Sequence, residues 1–249
     1  MKLHIYDEWK KYGLTAGYTY DCDGRFATND PDALPNYERL SELTGIGMDR
    51  MVRVRQFHTD EVLAASVEDG GEGITKPVLE KYYDAIISDA DELMLCVVTA
   101  DCTPVHLYDP VHEVIGMVHS GRTGTMKDIT AKALNRMRKL YGTLPEDTLC
   151  IIGPHLCQDH HEVNACDIEG FYDNFSAAEI DRFVKTRGDK CYVDMETAIR
   201  ISLGRLGFKD ENIIECSRCT YEKPELYSWR RDHDKTKRVL SFIAMRNNI

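Results

Sequence analysis

The sequence has 249 residues, 43% of them hydrophobic and 29% charged, which predicts a soluble globular protein with one domain over residues 1–249. Its formal net charge of −11 argues against nucleic acid or an anionic membrane surface as the main partner. Nine irregularly spaced cysteines, an N-terminus without an apolar signal region and the lack of an apolar run of roughly 20 residues favour free thiols in the cytoplasm. Neither composition nor spacing indicates an oligomeric state.

In chain order, the first signals are turn-rich loops over residues 29–35 and 68–73. A continuous apolar run with β-branched side chains over residues 93–100 then predicts a strand buried on both faces. The Asp109-Pro110 pair predicts a turn between two further strands. The remaining apolar segments predict strands over residues 105–108, 114–118, 148–152 and about 212–216.

Three helices are predicted between these strands. Residues 128–141 place apolar side chains near one face, and Gly142 follows as a C-terminal stop. Ser176 begins a capping-box pattern that opens a helix through Val184. Asp194 would cap the third helix. Interleaved strands and helices predict an α/β or α+β domain, although the spacing does not fix the strand order.

Three candidate metal ligands occur in short, distinctive contexts: His58, Cys102 and His119. Cys102 comes just past the predicted strand at 93–100, and His119 closes the one at 114–118. Strand ends that face a crevice are where α/β proteins place ligand groups. Two imidazoles and one thiolate suit Zn²⁺, and three protein ligands leave a fourth position open, as in catalytic sites. Taken singly, each residue could instead be a hydrogen-bonded or core side chain.

Other clusters compete for a functional role. Cys216 and Cys219 form a single Cys-x-x-Cys, without the second pair that a zinc ribbon needs. Arg230 and Arg231 lie beside aromatic residues and could bind an anion, or could form a solvated charge run. A last group could ligate a metal, although a polar loop is the simpler interpretation: Cys157, Asp159, His160, His161 and Cys166.

The ordered motifs resemble the YfiH-type laccase-domain family, also described as multicopper polyphenol oxidase-like and peptidoglycan-editing-factor-like. The resemblance implies an α/β domain with two mixed sheets flanked by helices. It also implies a Zn²⁺ site, or alternatively a Cu²⁺ site, at His58, Cys102 and His119. The matching blocks are Gln56-Phe57-His58, Thr99-Ala100-Asp101-Cys102-Thr103-Pro104-Val105, His119-Ser120-Gly121, Gly153-Pro154, Glu162-Val163, Cys219-Thr220-Tyr221 and Arg230-Arg231-Asp232.

This resemblance further implies a metal-dependent purine nucleoside phosphorylase that acts on adenosine, inosine and methylthioadenosine, with adenosine deaminase activity. The small-molecule partners would be a purine nucleoside and phosphate, and the three metal ligands would be catalytic. Arg230 or Arg231 would hold phosphate, with Arg122 as a helper that stands one place earlier than the family's arginine. Asp101 or Asp84 would orient a ligand histidine.

Three rival functions remain open at this point. Cys102 could be the nucleophile of a hydrolase that edits cell-wall precursors, with His119 or His58 as its base. Copper-dependent phenol oxidation is disfavoured, because multinuclear copper centres use His-x-His pairs and none occurs among the nine histidines. The segment at 119–124, which differs from the family motif, favours a partner-binding protein without catalytic activity.

Overall fold

The computed structural model describes residues 1–21, 23–27, 30 and 32–246. Its strands are β1 (Lys2–Ile5), β2 (Leu14–Tyr20), β3 (Met51–Arg53), β4 (Val62–Ala64), β5 (Ala85–Ser88), β6 (Met94–Thr99), β7 (Thr103–Asp109), β8 (Val114–Ser120), β9 (Leu149–Ile152), β10 (Glu162–Asn164), β11 (Val184–Arg187), β12 (Lys190–Val193), β13 (Ile213–Glu215) and β14 (Val239–Met245). Its α-helices are α1 (Leu34–Thr44), α2 (Arg122–Met126), α3 (Ile129–Tyr141), α4 (Ala177–Phe183), α5 (Met195–Arg205) and α6 (Trp229–Asp232).

Two large mixed sheets form the centre of the molecule. The five-stranded sheet has the order β1-β2-β14-β6-β3, and the six-stranded sheet has the order β13-β9-β7-β8-β5-β4. In the larger sheet, β7 and β8 form a hairpin around the turn that follows Asp109, as predicted. Every residue of both hairpin strands is buried, including polar side chains such as His106, Asp109 and His119.

The two large sheets pack face to face, and helices cover their outer faces. Leu95 and Val97 of β6 point into one core with Met117 of β8. The alternate residue Cys96 points the other way, into a core shared with α1. Helices α3 and α5 cover the outer face of the six-stranded sheet through apolar residues such as Leu134. This arrangement confirms the predicted fold class of mixed sheets flanked by helices.

A small antiparallel sheet, in the order β10-β12-β11, is an addition to the two sheets implied by the family resemblance. It packs with α4 around a separate aromatic cluster that includes Phe171 and Phe183. Its strands have three or four residues, and β11 is mostly exposed, so each strand has too few buried positions to be recognised in the sequence. The assignment of all 249 residues to one domain stays a prediction.

The predicted helices agree with the structure at their caps. Gly142 ends α3 in the left-handed conformation, with φ +82°. Ser176 forms a capping box at the start of α4, although Val184 begins a strand and does not end the helix. The Asp194 side chain accepts a hydrogen bond from the backbone N–H of Thr197 at the start of α5.

The loop predicted over residues 29–35 can be compared with the structure only in part, because Asn29 and Pro31 lie outside the described residues. At its end, Leu34 already begins α1. No helix among the described residues combines the length and the apolar composition needed to cross a membrane.

Candidate metal centre

His58, Cys102 and His119 come together at one end of the β7–β8 hairpin. One ligand atom from each residue lies within 4.8 Å of the others, and Cys102 Sγ is 3.6 Å from His58 Nε2. Cys102 lies immediately before β7 and His119 lies near the end of β8, where Pro104 pairs with His119 across the ladder. The hairpin register therefore brings two residues that are far apart in sequence to the same edge. The third ligand, His58, comes from an exposed loop.

Asp84 positions two of the three candidate ligands. Its fully buried carboxylate lies 2.7 Å from His119 Nδ1, which leaves Nε2 of that ring to face Cys102. The same carboxylate accepts hydrogen bonds from the backbone N–H groups of Phe57, His58 and Thr59 at 3.2, 3.1 and 2.5 Å. These bonds hold the His58 loop, in which His58 itself has a φ of +55°. One carboxylate thus orients a histidine ring and anchors a second ligand, a common arrangement around protein-bound metals.

The electrostatics of the group favour a negatively charged thiolate. Burial by itself would raise the pKa of Cys102, but the neighbouring His119 and His58 lower it to about 6. Burial would lower the pKa of His119, but Cys102 and Asp84 raise it to about 9. For Asp84, burial is outweighed by hydrogen bonds to His119 and Thr59, and its pKa falls to about 2. Near neutral pH the group therefore holds a thiolate beside an imidazolium.

Gly121 leaves the space in which the ligands meet. A Cβ at this position would lie 2.5 Å from His58 Cδ2 and 2.9 Å from Cys102 Sγ, both shorter than any normal contact. The backbone conformation of Gly121 is an ordinary extended one, so the absence of a side chain matters here for space only. Two imidazoles and a thiolate around this gap fit the donor preference of zinc and of related soft divalent ions.

The ligand group lies between two cavities of about 360 and 270 Å³, which share His58, Ala100, Cys102 and Trp229 in their walls. The first cavity is lined in addition by Arg53, Gln56 and Arg238. The second is lined in addition by Arg122, His161 and Arg230. The three-residue group is thus accessible from both sides, and each side carries positively charged side chains.

The second cavity has a locally positive field despite the acidic chain. Burial and the charges of Arg230 and Arg122 lower the pKa of His161 to about 4, so this histidine is neutral at neutral pH. Arg122 forms an ion pair of 3.0 Å with Asp167, and Arg230 donates to the carbonyl of Glu162 at 2.8 Å. The same two arginines line a neighbouring surface cleft, so both face a region where an anion would be stabilised.

The contacts of Arg231 are not those expected of a phosphate-binding residue. Its guanidinium donates to the backbone carbonyls of Thr220 and Leu226 at 2.8 and 2.7 Å and pairs with Asp232 at 2.7 Å. It makes two further bonds, to the carbonyls of Tyr221 and Lys223. These contacts tie the segment before α6 to the helix, so the geometry gives Arg231 a role in holding the cavity wall.

Asp101 and Asp84 are the two residues that the sequence offers for orienting a ligand histidine, and the contacts of Asp101 serve a different purpose. Its carboxylate accepts from Thr220 Oγ1 at 2.6 Å and from the backbone N–H of Arg230 at 2.7 Å, whereas the ligand histidine His119 is held by Asp84. Asp101 itself adopts a φ of +80°. It therefore fixes the start of α6, and with it Arg230, next to Cys102.

Four cavity residues were not assigned a role from the sequence: Arg53, Gln56, Trp229 and Arg238. The Gln56 amide pairs with both backbone groups of Val98, at 2.7 and 2.9 Å, and thereby extends the edge of β6. Its place as the first residue of the Gln56-Phe57-His58 motif is the available signal. Arg53 ends β3 five residues before His58, whereas Arg238 is distant in sequence from all three candidate ligands. No local pattern marks either arginine as a site residue.

Comparison with known proteins identifies the family. The family model for multi-copper polyphenol oxidoreductase laccase matches residues 17–246. The chain belongs to this laccase-like family. A curated relative, purine nucleoside phosphorylase YlmD of Bacillus subtilis, is 28% identical over 222 residues, which are 87% of this chain and 78% of that protein. A purine nucleoside phosphorylase of Deinococcus radiodurans is 30% identical over 234 residues, which are 94% of this chain and 85% of that protein.

Solved structures show the same fold. The protein YfiH of Bacillus licheniformis superposes with a TM-score of 0.90 at 25% identity, over 98% of this chain and 96% of that one. YlmD of Geobacillus stearothermophilus superposes with a TM-score of 0.87 at 23% identity, over 94% and 93% of the two chains. The resemblance deduced from the sequence motifs is thereby confirmed.

Proposed function

We propose that this protein is a metal-dependent purine nucleoside phosphorylase that acts on adenosine, inosine and methylthioadenosine and also deaminates adenosine. The observation that carries the proposal is the three-ligand group between two cavities, one of which holds Arg122 and Arg230. The curated relatives named purine nucleoside phosphorylase support the same reaction class.

His58, Cys102 and His119 would hold the metal, and Asp84 would keep His119 in the tautomer that presents Nε2 to it. When bound, a Zn²⁺ ion at this position supplies a Lewis acid with an open coordination position. The acidic Asp84, held ionised by its hydrogen bonds, also offsets the positive charge of the site.

In phosphorolysis, the C1′–N9 bond of the nucleoside breaks, its electron pair leaves with the purine, and a phosphate oxygen bonds to C1′. Arg122 and Arg230 would bind the phosphate, because guanidinium groups offer paired donors that match its oxygens. The indole of Trp229 borders both cavities and offers a flat surface for the purine. The arginines would hold the phosphate close to the sugar, which lowers the entropic cost of the reaction.

A cysteine hydrolase that edits cell-wall precursors is the second candidate. It is favoured by the lowered pKa of Cys102, about 6, beside the protonated His119, because such a pair supplies a thiolate nucleophile and a general acid that can protonate the leaving group. It requires an ion-free site, since a metal-bound thiolate is a poor nucleophile.

The test is product analysis by chromatography. Purified protein is incubated with adenosine, inosine or methylthioadenosine, with and without phosphate, and with and without a chelator. Phosphate-dependent release of adenine or hypoxanthine that stops on metal removal supports the proposal, and inosine formed from adenosine supports deamination. Metal-loaded protein that releases no base contradicts it. Activity on a cell-wall precursor that persists in chelator, together with alkylation of Cys102, supports the hydrolase instead.

A further inference from the structure

A second group of metal-ligating side chains lies outside the proposed active site. Ligand atoms of Cys157, His160, Cys219 and Glu222 all lie within 4.8 Å of one another. The sequence groups Cys157 and His160 with Asp159, His161 and Cys166, and it groups Cys219 with Cys216. The structure regroups them: Asp159 pairs with Arg187, and His161 lines the active-site cavity.

We infer that these four residues form a structural metal site for Zn²⁺ or a similar soft divalent ion, which joins the loop after β9 to the segment before α6. The donor set is two sulfurs, one imidazole nitrogen and one carboxylate oxygen, and it completes a four-ligand shell without an open position. Four protein ligands are the mark of a structural zinc site, whereas catalytic sites keep one position open.

The spacing between donor atoms fits a tetrahedral ion. Bond lengths of about 2.3 Å to sulfur and 2.0–2.2 Å to nitrogen and oxygen place tetrahedral ligands roughly 3.4–3.6 Å apart when one sulfur or none is involved. Cys157 Sγ and Cys219 Sγ are 3.2 and 3.6 Å from His160 Nδ1. Glu222 Oε1 is 3.8 Å from Cys157 Sγ and 3.5 Å from His160 Nδ1.

The sequence pattern of the four residues also suits a metal. Each half contributes a cysteine and a second ligand three positions later, Cys157 with His160 and Cys219 with Glu222. Pairs of ligands separated by two residues, supplied by two distant loops, are typical of structural zinc sites. The two halves stand 62 residues apart, so neither pair alone is recognisable as a site.

Neighbouring groups already orient the ligands. The backbone N–H of Cys157 donates to Cys219 Sγ at 3.4 Å, a contact that stabilises a thiolate. The His160 ring stacks on Tyr221 with centroids 4.3 Å apart and an angle of 21°. A divalent cation would supply the positive charge that deprotonates a coordinating thiol.

Such an ion would stabilise the wall of the second cavity. Thr220, between two of the ligands, donates to Asp101 at 2.6 Å, and Asp101 accepts from the backbone of Arg230. On the other loop, the backbone N–H of Leu156 donates to the Asp101 carbonyl at 3.1 Å, next to the ligand Cys157. Cys219 is therefore adjacent to Thr220, and Cys157 is adjacent to Leu156. These two adjacent residues both hydrogen-bond to Asp101, which directly precedes Cys102.

Metal content of the full-length chain tests the inference. The protein is purified anaerobically with reductant, stripped by chelator, reloaded with Zn²⁺, separated from free ion and measured by elemental analysis. We expect C157A/C219A to hold about one Zn²⁺ per chain fewer than the wild type, while C166A, which removes an exposed cysteine outside the group, holds the wild-type amount. Equal zinc in the double variant and the wild type would overturn the inference. This difference does not depend on whether the three-ligand group binds metal or catalyses anything.

Cobalt spectroscopy provides the second measurement, in a C102A background that removes the thiolate of the other group. Co²⁺ should give an intense thiolate-to-metal absorption in C102A that is lost in C102A/C157A/C219A. If the triple variant does not fold by circular dichroism, H160A and E222A are measured in C102A, and each should weaken Co²⁺ binding by at least about tenfold. Unchanged binding in both would overturn the inference, as would a Cys157–Cys219 disulfide in the anaerobically purified wild type.

Discussion

The two groups of soft ligands differ in the number of donors and in what surrounds them. The group of His58, Cys102 and His119 has three donors, borders two cavities and depends on a buried carboxylate. The group of Cys157, His160, Cys219 and Glu222 has four donors, and none of these four residues lines either cavity. An incomplete coordination shell beside a cavity leaves a position for a substrate. A complete coordination shell between two loops is suited to stabilising the fold. The four predictions below test this contrast.

Loss of a donor should be most damaging in the three-donor group. C102A is expected to lower phosphorolysis by roughly 10²–10³-fold or more, the range for removing one group aimed at developing charge. C166A is the matched control, because Cys166 is exposed, and should keep wild-type rates. Steady-state rates on inosine with saturating phosphate measure both. Near wild-type activity in folded C102A would show that the reaction does not depend on the three-donor group.

The space at Gly121 should matter almost as much. G121A introduces a Cβ 2.5 Å from His58 Cδ2, so the ring or the loop must move, and activity should fall about 10–100-fold, the range for disturbed ligand orientation. Gly204, on α5, provides the control, since no described atom lies within 4 Å of a Cβ there. G204A should leave activity unchanged and stabilise the protein by about 0.5–1 kcal/mol through helix propensity. Equal activity in the two variants would show that the gap at Gly121 is not needed.

The arginines should separate into binding and structural residues. R122A and R230A should raise the KM for phosphate about tenfold, as expected for loss of a hydrogen bond to a charged group, with little change in melting temperature. R231A should instead lower the melting temperature, because its guanidinium holds four backbone carbonyls before α6. A specific rise in the KM for phosphate in R231A, with unchanged stability, would reverse this assignment.

Proton release should accompany metal binding at the three-donor group. Because the pKa of Cys102 is lowered to about 6 and that of His119 is raised to about 9, the pair carries one proton between these pH values. Metal binding must displace that proton, so about one proton should be released near pH 7.5, more below pH 6 and fewer above pH 9. Calorimetry of C157A/C219A in buffers of different ionisation enthalpy measures the number without the four-donor group. Binding at pH 7.5 without proton release would contradict the pKa assignment.

Elements with a strong local signal could be predicted from the sequence. The capping residues Ser176 and Asp194, the stop at Gly142 and the buried run at 93–100 all correspond to observed elements. Helices α2 and α6 have five and four residues, too short for a hydrophobic period, and they were not predicted. The strands of the small sheet have only three or four residues, so they are also too short to show a clear period.

Sites assembled from distant segments were harder to predict. The family motifs indicated His58, Cys102 and His119, and Asp84 was one of two candidates for orienting a histidine. The choice between Asp84 and Asp101 depended on hydrogen bonds that only the folded chain defines. Likewise, the sequence places Cys157 and Cys219 in two different weak clusters, because only the bridge between the loops brings them together.

Anomalous diffraction from crystals of the zinc-loaded protein, collected at the zinc absorption edge, tests the central claim most directly. The account predicts a peak about 2.3 Å from Cys102 Sγ and about 2.0–2.1 Å from a ring nitrogen of both His58 and His119. Fully loaded crystals without anomalous density between these three side chains would contradict it.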